Sequence, residues 1–342
     1  MTTEHSYKAR VLRCQGGLYT LQALEAAGEA LFAADPAAVY LRQQRAGLAR
    51  PRGIFRKQSQ RIMTGDYVSF EASEDPDVPW VISELHTRRN LMLRPPLANT
   101  DLLLVCFSAQ KPLCDFLLLD KLLSYALLLD IQPLLVFTKA DLVEEESLST
   151  FIRDVQAYRQ AGYLAWLSAR DGSGLAVSEE EAGDEPPILE QQALMRRVVE
   201  LAQGRQLALA GPSGVGKSSL MNALLEERYM ETGGISQKLA RGKHTTRHVE
   251  LLPVGGCLVA DTPGFSSFDL PYTEMEEAQL LLAYPEFRAA AEACRFPACS
   301  HSHEPDCAVR AAVEAQETLR PRYLRYLHIL EEWRKAQRKR YR

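Results

Sequence analysis

At 342 residues, with 46% hydrophobic and 25% charged residues, the chain has the make-up of a folded protein of roughly two or three domains, which excludes a disordered or fibrous one. Its amino terminus lacks an apolar secretory core, and the Leu-rich stretch 102–137 is broken by Lys111, Asp115, Asp120, Lys121 and Asp130, so a cytoplasmic protein without membrane spans is expected. The net charge of −4 conceals local bias: Arg42, Arg45, Arg50, Arg52, Arg56, Lys57 and Arg61 lie between Pro36 and Gly65 with no acid among them, and the residues from Arg334 add six more basic groups. Both clusters suit a polyanion, or equally a solvated basic face.

In chain order, residues 1–93 alternate short β-like stretches (10–14, 18–21, 39–41, 66–70 and 80–85) with Gly, Pro and Asp turns. That is an all-β pattern, and a five-stranded barrel of the oligonucleotide-binding type fits its length, as do other small β folds. From residue 97 the pattern becomes strand, helix, strand (102–107, 117–129, 133–137), which implies a parallel sheet with covering helices. Residues 171–187 are strongly acidic and read as a flexible connector. The sheet resumes at 206–210, passes into a helix over 218–225 and returns at 257–260, and Thr273 with Glu276 reads as a capping box opening a helical terminal region.

The loop from Gly211 through Pro212, Ser213, Gly214, Val215, Gly216, Lys217, Ser218 and Ser219 follows an apolar strand and opens a helix, the context that makes a P-loop credible. Its backbone N–H groups would cradle phosphates, Lys217 would neutralise the β/γ oxygens and Ser218 would ligate Mg²⁺. Thr138, Lys139, Ala140 and Asp141 form a base-reading motif, in which the Asp141 carboxylate accepts from the guanine N1–H and amino group, a donor pair that adenine lacks. Ser168 and Ala169 follow at a suitable distance, with the Ala169 N–H available to the guanine O6. Asp261, ending an apolar strand, is placed to hold Mg²⁺ through water, and Gly264 to sense the γ-phosphate. Between them, residues 241–247 suit a switch loop, with Thr245 or Thr246 reaching the metal. Phe265 stands where many GTPases place a water-orienting Gln, so slow intrinsic hydrolysis is expected; His244 is the candidate to position water, or else packs or meets RNA.

The order of these parts is unusual, since the base-reading half precedes the phosphate-holding half. A sheet whose ends lie close together can be rejoined there and cut elsewhere without losing its contacts. Near the carboxyl end, Cys294, Cys299, His301 and Cys307 supply three thiolates and an imidazole, a donor set for one closed, structural zinc per chain, with His303 a rival for His301. Cys106 and Cys257 lie in apolar strand-like runs and read as buried packing.

With these motifs, together with residues 94–99 and 242–246, the chain resembles the circularly permuted, ribosome small-subunit-dependent GTPases of the RsgA (YjeQ) family. The resemblance implies an amino-terminal OB-fold RNA-binding domain (1–93), a central α/β circularly permuted GTPase domain (94–272) and a mostly helical zinc-binding domain (273–342). It also implies a monomer that binds GTP with Mg²⁺ and acts on the 30S subunit and its 16S rRNA in late maturation, with subunit-stimulated hydrolysis to GDP. By the same resemblance His244 matches a switch-loop histidine considered for catalysis, and the Cys/His set matches the zinc ligands. Thr138 departs from the family, which often has Asn there to tie the base motif to the phosphate loop; weaker guanine affinity is the expected consequence. Two other readings stand beside this one: a GTP-gated RNA-binding module with incidental hydrolysis, and a P-loop ATPase or small-molecule kinase, which Asp141 disfavours.

Overall fold

The computed structural model describes residues 6–24, 47–57, 60–75, 77–93, 95–232, 249–261 and 270–340. The strand expected at 39–41 lies outside them. The chain divides into two compact units, one of residues 1–101, 202–208 and 229–263, the other of 102–201, 209–228 and 264–342.

In the first unit β1 (Tyr7–Gln15) and β2 (Leu18–Ala23) form an antiparallel pair, followed by β3 (Gly47–Pro51), a helical turn at Gly53–Lys57, β4 (Tyr67–Ala72) and β5 (Trp80–Leu85). The strand order is β1-β2-β3-β5-β4, with β3 and β5 parallel, and β4 returns to β1 with Tyr7 opposite Phe70 and Arg10 opposite Tyr67. This closed order is the OB-fold, which removes free strand edges. Alternating inward residues Ala9, Val11, Val68, Phe70, Trp80 and Ile82 fill it, and the Phe70 and Trp80 rings meet edge to face at 5.1 Å. A bulge at Val11–Arg13 bends β1. Beside the bulge, Gly65 at φ +91° approaches so closely that a Cβ would stand 2.1 Å from the Ala98 carbonyl oxygen.

The hairpin β6 (Leu91–Leu93) and β7 (Pro96–Ala98) leads to the second unit, where β8 (Leu102–Ser108), β9 (Gln132–Thr138), β10 (Leu164–Ala169) and β11 (Ile188–Glu190) are all parallel neighbours in that order. The unbroken apolar run of β8 is buried at every position, as a sheet covered on both faces requires. Helix α1 (Phe116–Leu128) starts at Asp115, whose carboxylate accepts from the Leu117 and Leu118 N–H groups. α2 (Glu145–Gln160) and α3 (Gln191–Ala202) follow β9 and β11. The acidic stretch is built structure: Ser178 and Glu181 form a capping box on the turn Glu179–Ala182, Val177 bridges Ile188, and Glu179 accepts from the Trp166 indole at 2.8 Å.

β12 (Gln206–Ala210) leads into α4 (Lys217–Thr232), longer than the sequence pattern suggested. In the first unit the β12 residues 206–208 run parallel to β14 (Cys257–Asp261), which forms a hairpin with β13 (Glu250–Val254). The terminal region is helical, but its capping box sits at Glu276 and Gln279, ahead of the 3-10 helix Glu277–Ala283, one turn later than Thr273. Thr273 itself lies in the 3-10 turn Tyr272–Glu274. After α5 (Ala308–Ala315) comes the long α6 (Arg320–Arg340).

What holds α6 to α1 is a buried ionic network. Asp120 of α1 is fully buried and accepts from Arg322 at 2.8 Å, Arg325 at 2.7 Å and the Tyr158 hydroxyl at 2.8 Å, while Arg322 also pairs with Glu286. The Arg322 guanidinium lies 4.3 Å from the Tyr158 ring centre and 4.8 Å from that of Tyr284. Next to it Lys121 pairs with Glu332 at 2.7 Å.

Candidate functional site

The second unit brings the phosphate loop and the base-reading motif together. Gly211, Pro212, Ser213, Gly214, Val215 and Gly216 connect β12 to α4; Val215 is buried and Ser213, Gly214, Ser218 and Ser219 are exposed. Gly211 takes φ +138°, and a Cβ there would stand 2.0 Å from the Cys106 carbonyl oxygen of β8, so no other residue fits without moving the strand. The Lys217 ammonium donates to the Gly211 carbonyl at 2.8 Å and the Pro212 carbonyl at 2.5 Å, which holds it inside its own loop at the helix amino terminus. Burial lowers its pKa, and burial pushes the Cys106 thiol up to about 12.

Thr138 ends β9, and its hydroxyl lies within hydrogen-bond distance of the Val215 carbonyl and, at 3.1 Å, of the Phe107 carbonyl. The tie between base motif and phosphate loop is therefore present with Thr in place of Asn, made by a hydroxyl to a main-chain carbonyl. Lys139, at φ +63°, extends its ammonium to the Gly214 carbonyl at 2.7 Å and the Lys111 carbonyl at 2.6 Å. Two side chains from the strand end thus grip the phosphate loop. Ala140 is buried, and Asp141 faces the end of β10, where it accepts from the Arg170 N–H at 3.2 Å. Ser168 and Ala169 are buried at that strand end.

Arg170 and Lys111 were not singled out from the sequence. The Arg170 guanidinium lies 3.8 Å from Asp141 and its side chain is 76% exposed, so the carboxylate that would read guanine has a solvent-exposed cation beside it. Its adjacency to Ser168 and Ala169 was the only signal. Lys111 contributes a main-chain carbonyl, which sequence patterns cannot reveal.

Asp261 ends β14, one residue after Ala260, the partner of Ala208 in β12. His244, Thr245, Thr246 and Gly264 lie outside the described residues.

The second cluster is at the carboxyl end. The ligand atoms of Cys294, Cys299, His301 and Cys307 all lie within 4.8 Å of one another. The His301 Nδ1 is 3.5 Å from the Cys294 sulfur and 3.6 Å from that of Cys307, and those two sulfurs are 3.9 Å apart. Tetrahedral zinc with Zn–S of about 2.3 Å and Zn–N of about 2.0–2.1 Å sets such edges at about 3.6 Å and about 3.8 Å. The short S···N and S···S spacings are thus better understood as edges of a coordination tetrahedron than as hydrogen bonds, and the donor set fits zinc. His303 is exposed, with its Nδ1 2.8 Å from the Ser302 hydroxyl, and takes no part. The loop is fixed from outside: the Tyr323 and Tyr326 hydroxyls of α6 donate to the His301 and Ser300 carbonyls at 2.7 and 2.9 Å, and Glu304 accepts from the Ser300 and Ser302 N–H groups. Burial works to raise the Glu304 pKa, and these hydrogen bonds more than reverse it, holding the carboxylate well below its usual range.

A model of the RsgA GTPase family matches residues 85–184 and 180–271. The chain belongs to the RsgA GTPase family. It is therefore a GTP-hydrolysing enzyme with circularly permuted motifs. Relatives of this family named small ribosomal subunit biogenesis GTPase RsgA are 42% identical in Shouchella clausii and 39% identical in Bacillus subtilis, over 83% of this chain and 89% and 88% of theirs. The crystal structure of YloQ, a circularly permuted GTPase, superposes with a TM-score of 0.71 at 30% identity over 98% of both chains. YjeQ from Thermotoga maritima gives 0.71 at 24% identity, over 96% of this chain and 99% of its own, and bears on the fold alone. Among the described residues no helix is long and apolar enough to cross a membrane.

Proposed function

We propose that this RsgA-family GTPase acts in the cytoplasm on the small (30S) ribosomal subunit, binds its 16S rRNA as a monomer, and hydrolyses GTP in a subunit-stimulated way during late maturation. The observation that carries the reading is the union of the two halves of a permuted nucleotide site, in which Thr138 and Lys139 hold the Val215 and Gly214 carbonyls. In this reading an OB barrel (1–93), a GTPase domain (94–272) and a zinc domain (273–342) divide the work, the outer two meeting rRNA. In that assignment Asp141 reads guanine, the backbone from Gly211 to Gly216 and the Lys217 ammonium take the β- and γ-phosphates, and Ser218 and Asp261 are the residues that would hold Mg²⁺, which would supply charge neutralisation at the phosphates. Thr245 or Thr246 and Gly264 sense the γ-phosphate. Phe265 cannot orient water, so His244 or a group of the subunit does. Cys294, Cys299, His301 and Cys307 hold one zinc, which shapes the terminal module and leaves no position open for substrate.

Steady-state hydrolysis of GTP and ATP, alone and with 30S subunits, 50S subunits or naked rRNA at fixed salt, tests this. Strong stimulation of GTP turnover by 30S alone is expected. Turnover indifferent to 30S in a protein that binds GTP would replace the reading with a GTP-gated RNA-binding module, and equal affinity for ATP would overturn the assignment of Asp141. Asp141→Asn moves preference from guanine toward xanthine nucleotides if that assignment is right.

A further inference from the structure

Guanine presents two kinds of polar group to a protein. N1–H and the amino group are donors, which the Asp141 carboxylate suits, while O6 and N7 are acceptors, each of which needs a proton from its site. In the proposed reading the Ala169 N–H serves O6. N7 comes next around the ring, on the side nearer the ribose and the phosphates. The side chain placed to serve it is therefore one that stands at a strand end between the base motif and the phosphate loop. β9 lies between β8 and β10, and Thr138 is its last residue.

Thr138 has no proton to spare. Its hydroxyl is within hydrogen-bond distance of the Val215 carbonyl and lies 3.1 Å from the Phe107 carbonyl. A hydroxyl carries one proton, and both of these neighbours are acceptors only. Turning that proton toward a base would leave three oxygens facing one another with no hydrogen between them, around a side chain that is buried, with little water to compensate. The rest of the side chain is committed in the same direction: a Cβ at Gly216 would lie 3.4 Å from the Thr138 Oγ1 and 3.6 Å from its methyl group. Beside it the Lys139 ammonium is directed at the Gly214 and Lys111 carbonyls.

We propose that Thr138 makes this nucleotide site indifferent to N7: its hydroxyl serves the phosphate loop alone, and guanine nucleotides with a carbon in place of N7 are bound as readily as the natural ones. This specificity rests on the reading of Asp141 and Ala169 as guanine contacts. An asparagine at position 138 differs in kind, because its amide carries two N–H protons, one for the Val215 carbonyl and one for N7. A missing bond to N7, and not a loose phosphate loop, is then what a deficit in guanine affinity would come from.

Equilibrium titration of the full-length zinc-loaded protein with GDP, 7-deaza-GDP and ADP is the test, and it needs no ribosome. The parent should bind 7-deaza-GDP within about twofold of GDP, less than the net worth of one hydrogen bond, and ADP far more weakly. Thr138→Asn should tighten GDP and favour it over 7-deaza-GDP by about two- to tenfold, the net worth of the added bond to N7. Thr138→Val, close in shape but without the hydroxyl, should weaken both guanine ligands by the same factor. The ratio of the two is read within one protein, so a general loss of stability does not move it. A parent that disfavours 7-deaza-GDP by more than about twofold overturns the proposal. So does a Thr138→Val protein whose loss is confined to GDP, or a Thr138→Asn protein whose ratio stays at that of the parent. If the variants do not fold, the ratio in the parent decides. ADP bound as tightly as GDP overturns the reading of Asp141 on which this rests, whereas a clear preference for GDP over ADP in a parent sensitive to N7 overturns this inference alone.

Discussion

Each unit is bolted by a buried arginine, and the two bolts are built on opposite electrostatic plans. Arg10 donates to the Asn99 carbonyl at 3.0 Å and the Gln206 amide oxygen at 2.7 Å, and its Nε has no partner among the described residues. Arg322 faces two carboxylates, Asp120 and Glu286. Burial lowers the Arg10 pKa, and its surroundings do not make up the loss. Burial acts on Arg322 in the same direction, but Asp120, Tyr158 and Glu286 outweigh it and raise the pKa well above the ordinary value. The first bolt is thus a set of neutral acceptors around one desolvated cation, and the second is a network in which every charge needs its partner. The neutral bolt tolerates the loss of a member better; the charged bolt fixes α6, and with it the zinc loop, more firmly.

The largest expected effect tests whether the second unit also depends on metal. Structural zinc supplies folding free energy on the order of 10 kcal/mol in small zinc modules. Cys299→Ser, or chelation, should release the metal and expose residues 294–315 to rapid hydrogen exchange, while the first unit and GDP binding stay intact. Zinc remaining at one per chain in Cys299→Ser would mean that the ligand set is wrong.

Removing one partner from each bolt comes next. Asp120→Ala leaves Arg322 and Arg325 short of their shared carboxylate and should cost about 3–5 kcal/mol. Arg10→Met removes two hydrogen bonds to neutral acceptors and should cost about 1–3 kcal/mol. Denaturant titration of the two variants decides, and equal losses would dissolve the distinction between the bolts. Acid sharpens it further. Burial works to raise the Glu332 pKa, but hydrogen bonds from Lys121 and Tyr272 more than reverse this, so it lies below its ordinary 4.5. Because the folded value is depressed, the stabilisation is present above about pH 4.5 and is lost as pH falls through the folded value. Glu332→Gln should therefore be less stable at neutral pH and show a shallower decline between pH 5 and pH 3; a decline parallel to that of the parent would remove Glu332 from the acid response.

Much of this was legible in the sequence, and what was not has a common cause. The P-loop, the base motif and the Cys/His set are local patterns, and the structure draws the thiolates and His301 together within one loop and the start of α5. The OB barrel was one of several β folds that the alternation allowed; its strand order emerges only from the β1–β4 closure. Asp120 stood in the sequence as an interruption in a Leu-rich run, and its meaning depends on Arg322, which lies 202 residues away. Arg10 and Gln206 are 196 residues apart. At Thr138 the Asn-to-Thr departure was visible in the sequence, but the carbonyl that its hydroxyl reaches was not.

The smallest effect concerns the ion pair that is neither buried nor part of a bolt. Arg170 lies 3.8 Å from Asp141 with its guanidinium mostly in solvent, so it repeats the Arg322–Asp120 pairing in high dielectric. In the proposed reading guanine would take the same carboxylate oxygens, and Arg170 would have to yield them. An exposed pair of this kind is worth about 0.2–1 kcal/mol, or about a 1.5- to 5-fold change in Kd. Arg170→Ala retains the backbone N–H that bonds Asp141 and should tighten GDP and GTP alike by that factor, with the difference from the parent shrinking as salt rises. In an Asp141→Asn background the substitution should change nothing, because there is no charge left to compete for. Equilibrium titration of a fluorescent guanine nucleotide against both backgrounds measures the coupling. Weaker binding by Arg170→Ala would show that the guanidinium assists the base, and competition for Asp141 would then have to be abandoned.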